Sequence, residues 1–212
     1  MYLPSVFSET DPQTLEVFVD EHPLATVVFV AEDRPQVDHI PFMRVAGLGR
    51  GERLIAHVSK SNPMWKLIDG GASTVLVFTG ASAYVTPSLY PSKAITHQVV
   101  PTWNYASVHI RGTLSCSHDL DEKRRTVDRL TRKMESGNAS PWSIDDAPTQ
   151  YIEKMLAGIV ALSFEIDSIE GKIKASQNKS REDRKGVIDG LSRHPSSVEA
   201  AALAAKKFDQ DS

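Results

Sequence analysis

The run His57-Val58-Ser59-Lys60-Ser61-Asn62-Pro63-Met64-Trp65 sets two hydroxyls and an ammonium between an apolar stretch and a proline-started helix. Backbone N–H groups, a helix dipole and Lys60 gathered in that way suit a phosphate. The competing reading is a turn shaped by Ser59 and Ser61, with Lys60 solvated. A second run, Val100-Pro101-Thr102-Trp103-Asn104-Tyr105, pairs two large rings with an amide where an irregular segment becomes a strand. Such groups flank and hydrogen-bond a flat heteroaromatic ligand, or they simply anchor a loop. In the third, Lys172-Ile173-Lys174-Ala175-Ser176-Gln177-Asn178, alternation puts Lys172, Lys174 and Ser176 on one face, with the amides of Gln177 and Asn178 following. That is a donor set for an anionic group; its alternative is a solvated strand end.

Other chemistries lose their usual support. The histidines His39, His57, His97 and His109 lie on separate elements without the spacing of a helical metal site, so no metal is expected. His39-Ile40-Pro41-Phe42 remains a candidate cofactor contact. The glycines of Gly47-Leu48-Gly49-Arg50-Gly51 have the wrong spacing for a dinucleotide fingerprint, and no nucleophile elbow or P-loop occurs. Cys116 is the single cysteine; it forbids an internal disulfide and, without a mapped base, reads as a passive thiol. No stretch approaches a membrane span and the N-terminus lacks a signal-peptide pattern, so a soluble, cytoplasmic protein is expected. The 24 basic and 27 acidic residues sum to −3, which gives no general attraction to nucleic acid.

These residues need elements to position them. Hydrophobic residues at 41% and charged residues at 24% of 212 are ordinary for a folded chain with a sizeable core. Asp11-Pro12 starts a helix carrying Leu15, Phe18, Val19 and His22. Strands are expected over Ala25–Ala31, Val37–Val45, Arg53–Val58, Ser73–Gly80, Ala83–Thr86, Tyr105–Ser115 and Ile159–Lys174, the last bent at Gly171. A short helix follows Asn62-Pro63 and stops at Gly70-Gly71, and Pro87–Pro101 is a long irregular segment. Asp119–Glu135 is a helix with Leu120, Val127, Leu130 and Met134 inward, and Tyr151–Leu156 is another. Capping patterns open helices at Ser180 and Ser196, the second alanine-rich and peripheral. The sum is a mainly β, α+β fold: a small closed or split β-barrel of meander or Greek-key type with appended helices.

The motifs in order are Met1-Tyr2-x-Pro4-x-x-Phe7, His39-Ile40-Pro41-Phe42, His57-Val58-x-x-x-Asn62-Pro63-x-Trp65, Tyr84-x-x-Pro87-Ser88-x-Tyr90, Pro101-Thr102-Trp103-Asn104-Tyr105 and Lys172-x-Lys174-x-Ser176-Gln177-Asn178. This series resembles the PaiB family of FMN-binding proteins through about Leu191. The resemblance implies an FMN-binding split β-barrel, related to the pyridoxamine-phosphate oxidase type, that forms a homodimer with FMN at the subunit interface. It implies one barrel domain over 1–178 and a helical extension over 179–212. Ser59, Lys60, Ser61 and Asn62 become the phosphate candidate, and His39, Ile40, Pro41 and Phe42 a strand alongside the flavin, with His57 and Trp65 nearby. Trp103, Asn104 and Tyr105 become the aromatic contact, completed by Lys172, Lys174, Ser176, Gln177 and Asn178 from the same or the other subunit. Family members often carry arginine at Lys60, whose lysine lacks the bidentate fork, and tryptophan at Leu89. The family's label of negative transcriptional regulator is one functional expectation, although no helix-turn-helix is present and the charge gives DNA binding no support. The alternatives are an FMN-dependent oxidoreductase and, more weakly, a haem-binding or haem-degrading split barrel.

Overall fold

A computed structural model describes residues 1–210, with side chains through residue 209. In chain order the elements are β1 (Ser8–Glu9), α1 (Pro12–Glu21), β2 (Leu24–Ala31), β3 (Arg34–Pro41), β4 (Met43–Arg44), β5 (Arg53–Ser59), α2 (Met64–Leu67), β6 (Ala72–Val85), α3 (Lys93–Thr96) and β7 (Thr102–Ser117). They continue with α4 (Leu120–Glu135), α5 (Thr149–Ala157), β8 (Ile159–Lys174), α6 (Arg181–Leu191) and α7 (Val198–Gln210). The strands form one sheet in the order β3-β2-β6-β7-β8-β5-β4, with β1 added on β8. Two compact units share the chain. The first holds Met1–Leu15, Thr79–Val108 and the chain from Glu170 onward; the second holds Glu16–Phe78 and His109–Ile169.

In the second unit, alternation decides which side chains are buried. Ala25, Val27 and Phe29 of β2, Leu54 and Ala56 of β5, Leu76 and Phe78 of β6 and Leu162 and Phe164 of β8 all face inward. Phe42 meets Phe164 edge to face at 6.4 Å. The β2-β3 hairpin turns through Glu32 and Asp33, both with positive φ (52° and 57°), the backbone that the right-handed twist of paired strands favours. The single strand expected over Val37–Val45 breaks at Phe42, where the chain passes from pairing with β2, a register that the Phe42 N–H still follows in bonding Pro23 O at 2.8 Å, to pairing with β5 from Met43. The two strands expected over Ser73–Thr86 are instead one, because Gly80-Ala81-Ser82 stays extended.

Helix α4 packs on β5. Its inward face is not the expected one: Leu120 and Met134 are half exposed, while Lys123 and Thr126 are buried. The long lysine stem covers apolar surface as well as a leucine does. Val127 joins the buried cluster of Ile144, Ile152 and Leu156 as expected.

Asp20 on α1 is the centre of an ion network. Its carboxylate accepts from Arg44 Nε (3.1 Å) and Nη2 (2.9 Å) and from Lys133. Burial works to raise the Asp20 pKa, but the hydrogen bonds from Arg44 and Lys133 outweigh it and hold the carboxyl below 3.8. A carboxylate with a depressed folded pKa stabilises the protein above the unfolded value and loses that contribution as pH falls through the folded one. Asp20→Asn should therefore cost about 2 kcal/mol at pH 7. In urea melts the gap from wild type should close below pH 3.8.

In the first unit, β1 pairs with β8 through Ser8↔Lys172 and Glu9↔Gly171. A Cβ at Gly171 would stand 2.9 Å from the Glu9 carbonyl oxygen across the β1-β8 pair as well as 2.3 Å from Leu15 Cδ2, which favours glycine there. The alanine-rich helix α7 is not peripheral. Ala200 and Ala201 are buried with Ala83, Val85, Tyr90, Val187 and Leu191, because small side chains let α7 seat closely on α6. Ser180 caps α6 as expected, whereas Ser196 falls in a single 3-10 turn over Pro195–Ser197. The segment 87–101 is less irregular than expected, holding a 3-10 turn at Pro87–Leu89 and α3. It is tied down at Ser92, whose N–H (3.0 Å) and hydroxyl (2.7 Å) donate to the buried carboxylate of Asp183.

Candidate functional site

The expected cofactor residues fall into two groups, one in each unit. In the second unit, β5 ends at Ser59 and the chain turns through Lys60-Ser61-Asn62 into α2. The expectation of free backbone donors in this turn needs correction. Lys60 N donates to Gly158 O (2.8 Å), Ser61 N to Ser59 Oγ (3.2 Å), Asn62 N to Ser59 O (2.9 Å) and Met64 N to Asn62 Oδ1 (2.9 Å). Helix α2 has only four residues, too few for a substantial dipole. What the turn offers an anion is its side chains: Ser59, Lys60 and Ser61 are all exposed.

Asn62 and Trp65 brace this turn. The Asn62 amide donates to Asp38 on β3, and Trp65 Nε1 donates to Lys60 O at 3.0 Å. His118 meets the Trp65 ring edge-on at 4.8 Å. Beside them, on β3 and the residue that follows it, His39 and Pro41 are exposed and Ile40 and Phe42 buried, so alternation offers a ligand only the first pair. His57 Nδ1 is buried with no partner among the described residues, and burial pushes its pKa below 6.5. Burial and then Asp69 raise the Cys116 pKa, and its thiol donates to Trp65 O at 3.6 Å.

In the first unit, Trp103, Asn104 and Tyr105 lie inside β7, which starts at Thr102 rather than Tyr105. Trp103 is exposed and its ring centre stands 6.1 Å from that of Tyr84. Asn104 is buried and donates to Ser176 Oγ at 2.9 Å. Ser176 takes a positive φ of 65°, a strained backbone for serine, where the strand has ended. Lys172 is only 7% exposed; its ammonium donates to Tyr2 O at 2.9 Å and stands 5.2 Å from the Tyr105 ring centre. Lys174 donates to Thr102 Oγ1 at 2.5 Å. Burial first, then the ammoniums of Lys172 and Lys179, push the Lys174 pKa below 10.5, against the opposing influence of Tyr105.

Gln177 is occupied within the backbone: Oε1 accepts from Ala175 N and Nε2 donates to Ile173 O, both at 2.6 Å. Asn178 is exposed. The sequence reading missed Tyr2, Tyr84, Thr102 and Asp38, each in contact with a residue it chose. Tyr2, Tyr84 and Thr102 stand in the quoted motifs, which was the available signal; Asp38 gave none beyond its place before His39.

The second unit offers an exposed ammonium, two exposed hydroxyls and an imidazole nitrogen without a partner among the described residues, and the first unit, by itself, offers the ammoniums of Lys172 and Lys174 with the rings of Trp103 and Tyr105; each is a set of groups for polar or aromatic ligand contacts. No cluster of three metal-ligating side chains occurs among the described residues, and no described helix is long and apolar enough to cross a membrane.

Comparison with known proteins defines the class. The family model described as "Putative FMN-binding domain" matches residues 1–168. "Protease synthase and sporulation protein PAI 2" of Bacillus subtilis is 28% identical over 213 residues, 98% of each chain. An uncharacterized Emericella nidulans protein, AN0679, is 31% identical over 90% of each. Among solved structures, the FAD and heme binding protein from Mycobacterium smegmatis superposes with a TM-score of 0.61 at 26% identity, covering 83% of this chain and 78% of that one. The flavocytochrome Anf3 from Azotobacter vinelandii shares the fold, with a TM-score of 0.54 at 16% identity over 79% and 69%. The fold is that of the flavin-binding split barrels. The chain belongs to the FMN-binding domain family, as a homologue of the PaiB type, and its cofactor is FMN.

Proposed function

We propose that Ser59, Lys60 and Ser61 hold the FMN phosphate, and that Trp103, Tyr105, Lys172 and Lys174 serve the flavin ring, from the same or the partner subunit. The observation that carries this is the turn after β5. Its backbone donors are consumed internally while an ammonium and two hydroxyls stay exposed. Bound flavin supplies electron transfer, and the chain's part is to bind and orient it and to set the charge around it. The lysines near Tyr105 favour negative charge on a ligand, which suits an oxidoreductase or a redox-sensing regulator. The −3 charge and the carboxylates interleaved along α6 weigh against a DNA-phosphate partner, so we read the protein as a flavin-holding module and not as a DNA-binding repressor.

The freshly purified protein should show flavin absorbance bands and bind FMN saturably, one per chain; a protein that stays colourless and takes up no FMN overturns the reading. Lys60→Ala should weaken FMN at least tenfold, about 1.4 kcal/mol, and leave riboflavin, which lacks the phosphate, unaffected. Equal losses for both ligands would remove Lys60 from the phosphate.

A homodimer is part of the same proposal. The outer face of the β2-β3 hairpin exposes Leu24, Val30 and Val37, each more than half accessible, on a row that also holds Thr26, His39 and Pro41. An exposed apolar row on an edge hairpin suits a second copy of the chain. Val37→Glu should yield monomers in sedimentation velocity; an unchanged mass would place the contact elsewhere.

A further inference from the structure

We propose that a second small-molecule site lies in the first unit: a cleft of about 410 Å³ that takes a neutral, planar, fused-ring aromatic compound bearing a hydroxyl or carbonyl group. Its walls are Tyr84 on β6 and Trp103 on β7, whose rings are inclined by 57° and each about half exposed. Two large rings left half in water across one cleft present apolar faces against which a third ring stacks or packs edge-on. Leu89 and Gly190 also line the cleft, and one turn earlier on α6 a Cβ at Gly186 would stand 2.2 Å from the Leu89 carbonyl oxygen. Any larger residue at Gly186 would push α6 away from the 3-10 turn of Leu89 and alter the cleft.

The polar groups of the cleft decide the ligand's class. Among the described residues no lysine, arginine, aspartate or glutamate lines it. An ionised ligand would lose hydration there without gaining a permanent counter-charge, so a neutral one is favoured. The hydroxyl of Ser82 and the ring of His194 supply hydrogen-bonding groups. The loop presenting His194 is held by Ser197, whose hydroxyl donates to Leu191 O (2.7 Å), with His194 O also within reach at 3.2 Å. The lack of a lysine or arginine among its described lining residues also separates this cleft from the lysine-bearing groups assigned to FMN. Trp103 belongs to both, so the proposal rests on the flavin reading for that ring alone and places the second ligand beside the flavin.

The test is isothermal titration of the FMN-saturated full chain with 2-naphthol as probe. One site per chain is expected, abolished in Ser82→Trp, which fills the cleft from an exposed strand position, and weakened at least tenfold in Tyr84→Ala. FMN affinity should be unchanged in both variants, which also reports that they fold. No binding, or binding indifferent to both substitutions, overturns the proposal. So does displacement of FMN by 2-naphthol, which would make the cleft the flavin's own while leaving the flavin reading intact. If the chain takes no FMN, the same titration is run on the chain alone. Binding there that Ser82→Trp abolishes supports the cleft even as the flavin reading falls.

Discussion

Gly112→Ala should destabilise the protein by about 3 kcal/mol or more, the upper range for overpacking. Gly112 sits in β7, where a Cβ would stand 1.9 Å from the carbonyl oxygen of Glu165 and 2.8 Å from Phe164 Cζ. The nearer obstacle is backbone, so no rotamer change relieves it. Strands β7 and β8 would have to part locally, and the buried Phe164 ring, which meets Phe42 edge-on, would move with them. For a chain of this length the loss corresponds to a fall in Tm of about 6–12 °C. Gly137→Ala is the matched control, because nothing lies within 4 Å of a Cβ there. Thermal melts of the two variants should differ by nearly the whole effect. Equal melts would mean that β7 and β8 are not so close at this position.

Lys174→Met should weaken FMN by more than tenfold while leaving the melting temperature nearly unchanged. A charge-assisted hydrogen bond is worth about 1.5–3 kcal/mol, and methionine keeps the apolar stem of this half-buried side chain. The expectation has a pH signature. Burial and neighbouring ammoniums depress the Lys174 pKa from 10.5, so its positive charge disappears at lower pH than that of a solvated lysine. Affinity for an anionic ligand is therefore full at neutral pH and falls as pH rises through the depressed value, below 10.5. In Lys174→Met that alkaline fall should be absent. FMN titrations from pH 7 to 10 would show it, and identical profiles in both proteins would remove Lys174 from the site.

Much of this fold was legible because local signals agreed with the global one. Asp11-Pro12 opens α1, Gly70 and Gly71 with positive φ end the α2 turn, and the long alternation of Ile159–Lys174 is one strand. The misreadings share a cause. Gly80-Ala81-Ser82 looks like a break, but neighbouring strands hold it extended. Lys123 looks solvent-facing, yet it is buried where α4 packs on β5. In the candidate site, residue types were readable and their satisfaction was not. Asn62 is claimed by Asp38, 24 positions earlier, and Lys60 N by Gly158, nearly a hundred positions later. Gln177 closes on its own backbone. A sequence shows which groups can donate; only the folded chain shows which have already done so.

The turn after β5 carries one more consequence, for the thermodynamics of loading. Because the N–H groups of Lys60, Ser61 and Asn62 are already bonded to the protein, this loop is pre-organised and pays little ordering entropy when a ligand arrives. Its amides should exchange with deuterium at similar rates with and without FMN. At this turn the charge attraction comes from the exposed ammonium of Lys60, which dissolved salt screens over a Debye length of about 8 Å at physiological ionic strength. Cofactor occupancy in this protein should therefore track ionic strength more closely than it tracks any rearrangement of the chain.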